Sequence, residues 1–226
     1  MPDAPSLPSK IADIEVPRDR VSTATWRWAH RQLPDYLLTH SVRAYCWGAA
    51  IASREGWDFD RRVLWNASLM HDFGLTRIPR NTMCFEVEGA EISRRFLERH
   101  GMAADDAERV AIAIILHMQP SVTPADGVEA VLLDRATALD VRGDGYALVD
   151  DVRPGVMRAF PRRAFDRRFL AAIAREATIR PGCQSARLLY QTGLADRMAR
   201  SPWPTESERS SGSQGGCMQL ESRPDK

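Results

Sequence analysis

The chain has 226 residues, 44% of them hydrophobic, and a formal net charge of +1. That length allows one helical domain with a real core, and the near-neutral balance gives no electrostatic case for nucleic acid or an anionic membrane surface as a partner. No apolar run approaches the roughly 20 residues needed to span a bilayer, and residues 1–10 lack the apolar centre of a secretion signal. The four cysteines (Cys46, Cys84, Cys183 and Cys217) form no CxxC pair. This argues against a zinc ribbon or a disulfide framework and favours a reducing, cytoplasmic setting.

Residues 1–20 are proline-rich and read as an irregular lead-in. A short helix is predicted over 23–32. Pro34-Asp35 then supplies a proline in the first turn and an acid at the positive end of the dipole, so a long helix is expected to about Glu55, stopped by Gly56. Further helices are predicted over 60–70, over 86–100 with Gly101 as terminator, over 105–118, over 127–140, over 163–177 and over 185–200. Gly143 and Gly145 break the pattern, so 141–163 reads as loop with short elements. Residues 205–226, rich in Ser, Gly, Arg and Glu, bury too little apolar surface to offset their ordering entropy and read as disordered tail. No alternating strand pattern is evident. The expected fold is all-α: a lead-in over 1–20, one helical domain over 21–203 and a tail over 204–226.

The centre of the chain is Ser68-Leu69-Met70-His71-Asp72-Phe73-Gly74, where a histidine and an aspartate meet at the end of an apolar helix. Adjacent helical residues point about 100° apart, so the two can share an ion only if the helix ends there. Helix faces nominate their partners. His40, Ala44, Trp47 and Ile51 share a face; so do Leu64, Ala67 and His71; Val110, Ala113, Ile114 and His117; and Leu132, Ala136 and Asp140. A buried carboxylate such as Asp140 is expensive unless paired or bound to a cation. A metal shared by His40, His71, Asp72 and Asp140 would resolve that expense, and the donor set suits one divalent zinc, iron or manganese ion better than magnesium. The competing readings are hydrogen-bonded core histidines, and an Asp140 that caps a helix or pairs with Arg142.

His40, His71-Asp72 and Asp140 resemble the H…HD…D pattern of the HD-domain metalloenzymes. Three segments are similar to the cyanamide hydratase branch of that family: Thr39-His40-Ser41-Val42-Arg43-Ala44-Tyr45, Leu69-Met70-His71-Asp72-Phe73-Gly74-Leu75-Thr76 and Cys84-Phe85-Glu86-Val87-Glu88-Gly89-Ala90. The likeness runs from about 35 to 140, with weaker support to 195. It implies an all-helical fold, the same four metal ligands and a pocket including Thr76 and Phe85.

An ion with open positions lowers the pKa of bound water and polarises a substrate. His117 is expected to move a proton or orient substrate, if it is not simply a core histidine. Glu86 reads as a general base or ligand-supporting carboxylate, or as an acid that merely favours a helix start. Arg43 reads as an anion contact or, with more weight, a salt-bridge partner. Three functions follow. Hydration of a small nitrile-type substrate such as cyanamide predicts a small, mostly apolar pocket. Hydrolysis of a nucleotide or another phosphate ester predicts a basic rim, for which Arg77 and Arg80 are the nearby cations. A non-catalytic helical domain with a structural metal predicts a closed site. The expected partner is a small molecule, and an exposed aromatic such as Trp203 would be compatible with a homo-oligomer.

Overall fold

The structure, a computed structural model, describes residues 5–77 and 82–204. Helices α1 (Arg20–Gln32), α2 (Asp35–Glu55), α3 (Arg61–Met70), α4 (Phe85–Arg99), α5 (Ala104–Leu116) and α6 (Val128–Arg142) form the body of the fold. α7 (Arg153–Ala159) and α8 (Phe165–Ile179) follow. α2 is the axis: residues 40–52 are buried throughout, as for a helix surrounded by others. It packs on α3, α6 and α8, while α5 packs on α3, α4 and α6. Gly56 and Gly143 end α2 and α6 in the left-handed region, at φ 69° and 80°. Most side chains cannot adopt that conformation without strain.

The lead-in is more ordered than its composition suggests. β1 (Lys10–Ile11) and β2 (Ile14–Glu15) pair antiparallel, Ile11 opposite Ile14. The two turn residues, Ala12 and Asp13, have φ of 46° and 70°. This is the conformation that Asn-Gly or Asp-Gly ordinarily signals; Ala-Asp hides it. Leu7, Ile11 and Val16 are buried in the main core, and the Tyr45 hydroxyl donates to the Glu15 carbonyl at 2.5 Å.

Three other expectations are corrected. The single helix over 185–200 is broken into α9 (Gln184–Ala186), a π-helix over Arg187–Gln191 and α10 (Leu194–Ala199). Gly193, at φ 64°, makes the break. Cys84 and Cys183 are joined by a disulfide across 99 residues of sequence, a separation no local motif reveals. Cys46 is free and buried. Trp203 is buried rather than exposed: it stacks on Trp47 at 5.8 Å and donates to the Leu139 carbonyl at 2.9 Å. Arg80 and the tail over 205–226 lie outside the described residues. Among the described residues, no helix is long and apolar enough to cross a membrane.

Candidate metal centre

His40 projects from the middle of α2, and His71 caps the C-terminus of α3. Asp72 follows at φ −97°, ψ 7°, in the bridge region between helix and strand, and the chain then tightens into a 3-10 turn over Phe73–Thr76. The departure from helical geometry lets the adjacent His71 and Asp72 face one point. Gly74 permits it: a Cβ there would lie 2.0 Å from the Phe85 carbonyl oxygen. His117 caps α5 in the same manner as His71 caps α3.

The functional atoms lie close together. His40 Nε2 is 3.1 Å from His71 Nε2. Asp72 Oδ2 is 3.3 Å from His71 Nε2 and 3.6 Å from His40 Nε2. His117 Nε2 is 3.8 Å from Asp72 Oδ1. A tetrahedral ion with donors at 2.0–2.2 Å separates them by about 3.4 Å, so the first three atoms have the right spacing. They form the one group capable of holding an ion among the described residues.

The hydrogen bonds around the group support the same reading. The Nδ1 atoms donate to oxygens that only accept: His40 to Asp140 Oδ2 at 2.7 Å, His71 to the Ser68 carbonyl at 2.7 Å and His117 to the Ile114 carbonyl at 2.5 Å. In the neutral imidazole each Nε2 then carries a lone pair, the form a metal requires. Asp72 Oδ2 is buried without a hydrogen-bond partner. Converging lone pairs and an unpaired carboxylate oxygen fit a cation and are costly without one.

The titration shifts follow from burial and mutual charge. Burial alone would raise Asp72, but the His71 imidazole outweighs it and holds the carboxyl at about 2. Burial would lower His71, but Asp72 outweighs it and raises the imidazole above its usual value. Without an ion, a proton on His71 is therefore the counter-charge of Asp72. Burial lowers His40. Burial and the neighbouring His71 push His117 down to about 4.

Asp140, the fourth ligand expected from the sequence, stands behind His40 and does not reach the group. Its oxygens accept from Arg43 Nε and Nη2 (2.8 and 2.7 Å), Trp47 Nε1 (2.7 Å) and His40 Nδ1. Arg162 donates to its main-chain carbonyl. Burial would raise the Asp140 carboxyl, but Arg43 and Arg162 hold it well below the usual carboxylate range. Arg43 is consumed by this network and by the carbonyls of Phe160 and Pro161, so the salt-bridge reading describes it. Arg142 pairs with Asp144 instead.

His40, His71, Asp72 and His117 line a cavity of about 170 Å³. Phe169 and Val141 supply apolar wall; Thr137, Asp134, Arg142, Arg187 and Arg197 supply polar wall. Glu86, Phe85 and Thr76 are not among its lining residues. Glu86 is buried, and burial, reinforced by Glu176, raises its carboxyl. The Phe85 ring packs 6.2 Å from that of His117, and the Thr76 hydroxyl donates to the Phe73 carbonyl at 2.8 Å. Sequence reading missed Thr137, Asp134 and Arg187. Thr137 sits one turn from Asp140 on α6, a spacing that could have drawn attention to it.

The all-helical fold and the His-His-Asp centre define a metal-dependent hydrolase or hydratase of helical type. Residues 37–142 match the HD domain family model. It is also 28% identical to two cyanamide hydratases of Saccharomyces cerevisiae, DDI2 and DDI3, over 163 residues that cover 70% of this chain and 72% of each relative.

Proposed function

We propose that the protein is a hydratase adding water across the C≡N bond of a small nitrile-type substrate, with conversion of cyanamide to urea as the reference reaction. The observation that carries this reading is the convergence of the Nε2 atoms of His40, His71 and His117 and the Asp72 carboxylate on a cavity of about 170 Å³. That volume lies below the roughly 300 Å³ lower end for drug-sized ligands. Three protein ligands and an accessible cavity make the pattern of a catalytic rather than a structural site. The similarity to two cyanamide hydratases points the same way.

His40, His71 and Asp72 would hold one divalent zinc, iron or manganese ion, which supplies Lewis acidity and lowers the pKa of water. Asp140, fixed by Arg43 and Trp47, orients the His40 ring through Nδ1 and raises its basicity. His117, held neutral near pH 7, has its Nε2 beside Asp72 and is the proton carrier. It takes a proton as the water oxygen bonds to the nitrile carbon, and returns it to the nitrogen as one π bond of C≡N is lost. Tautomerisation gives the amide, or urea from cyanamide. The Thr137 hydroxyl donates to the Asp134 carbonyl at 3.0 Å, which leaves its oxygen free to accept from a substrate N–H.

Phosphate-ester hydrolysis is the second reading, favoured by the three arginines on the cavity wall; the small volume argues against a nucleotide. The test is urea release from cyanamide by metal-loaded protein, with His71→Ala as control. Urea from the wild type and none from the variant is the expected result. No urea from protein carrying a full metal complement would remove the hydratase reading.

A further inference from the structure

Neutral cyanamide, a carbon and two nitrogens, leaves much of this cavity without a role. The cavity of about 170 Å³ is roughly ten times the ~15 Å³ that a single water needs. The wall also carries three guanidinium groups that a neutral substrate does not need. Two of them share one carboxylate: Arg142 and Arg197 both bind Asp144, at 2.7 and 3.1 Å. Arg187 does not. Its Nε donates to the Gln184 side-chain carbonyl and its Nη2 to the Met118 main-chain carbonyl at 3.1 Å, both neutral oxygens. Among the described residues no carboxylate pairs with it.

Those bonds also aim it. Gln184 donates in turn to Gln119 Oε1 at 2.9 Å, and Gln119 lines the cavity two residues after His117. Gln184 follows Cys183, which the disulfide ties to the start of α4. Arg187 opens the π-helix, an element that recurs at functional sites, and Leu188 and Thr192 from the same stretch reach the cavity. The guanidinium fork is thus held from one edge, leaving Nη1 available. A guanidinium N–H held in place makes a charge-assisted hydrogen bond to a carboxylate.

We propose that Arg187 binds a carboxylate of the substrate, so that the compound the protein is built for is a small nitrile or cyanamide bearing one carboxylate. The proposal rests on the hydratase reading for the reacting group, but the anion site stands independently of it. With cyanamidoacetate the balance is simple: the water oxygen bonds to the nitrile carbon, one π bond is lost, both water hydrogens end on product, and carbamoylglycine forms without a leaving group.

Two measurements test it on the metal-loaded full chain. The first is acetate binding by isothermal titration to wild type, Arg187→Gln and Arg187→Lys. Binding at least tenfold weaker in the Gln variant and intermediate in the Lys variant is expected; equal binding would put the anion on the metal alone and overturn the proposal. The second compares kcat/KM for cyanamidoacetate and cyanamide. The wild type is expected to favour the carboxylate, with the ratio falling about tenfold in Arg187→Gln, mainly through KM. A wild type that favours neutral cyanamide would contradict the proposal. Arg187-dependent acetate binding with no turnover of either compound would retain the anion site and reject the hydratase reading instead.

Discussion

Among single residues, what each imidazole and carboxylate faces decides its role. Asp140 is a buried anion whose partners are Arg43, Arg162, Trp47 and His40. Asp140→Asn leaves the buried Arg43 without its counter-charge and Arg162 with Asp166 alone, and the expected loss of stability is about 3–5 kcal/mol, read by denaturant unfolding of the metal-free protein. The same variant should weaken metal binding by about 10–100-fold through the loosened His40 ring; unchanged affinity would show that Asp140 does not act through His40. Metal affinity should also depend on pH. Asp72 raises the His71 pKa, so a proton competes with the ion, and affinity should fall as pH drops through the folded-state value. Asp134 is also shifted upward, but by burial, to about 6. Between about pH 4 and 6 the folded state binds more protons than the unfolded one, so this residue's contribution to stability declines as pH rises. Asp134→Asn should therefore raise the melting temperature above pH 6 and change it little below pH 4, a comparison that thermal unfolding at the two pH values decides.

Between elements, two joints hold the site in place. The turn after His71 lies against the start of α4 at Gly74, with no room for a methyl group. Gly74→Ala must push the turn away from Phe85, with an expected destabilisation of about 1–3 kcal/mol and reduced metal retention, because Asp72 moves with the turn. Full retention of both properties would mean that the turn does not position Asp72. The second joint is the disulfide from the N-cap of α4 to that of α9. Closing a loop of this length restricts the unfolded chain, so Cys183→Ser should lower stability by about 2–4 kcal/mol, seen as a drop in the denaturant midpoint.

Across the whole molecule, the helical frame was legible because its punctuation is local. Pro34-Asp35 starts α2 and Gly56 stops it; Asp60 caps α3; Gly143 ends α6. The inward faces were legible for the same reason, and His40, His71, Asp72, His117 and Asp140 are all buried. What periodicity could not supply is the depth of each residue along its face. Asp140 shares the interior with His40, yet lies behind it because Arg43 and Trp47, one turn and two turns along α2, claim its oxygens. Contacts far apart in sequence were equally hidden: the Cys84–Cys183 bond, the docking of Trp203 on Trp47, and the cavity-wall position of Arg187.

We propose that His40, His71 and Asp72 hold one divalent ion on which the chemistry depends. The most direct measurement is metal content per chain after loading with zinc, iron or manganese and desalting, in the wild type and in the His40→Ala, His71→Ala and Asp72→Ala variants. One ion per wild-type chain is expected, with loss of that ion and retained helical circular dichroism in each variant. A wild type that takes up no ion, or a folded His71→Ala protein that keeps a full complement, would contradict it.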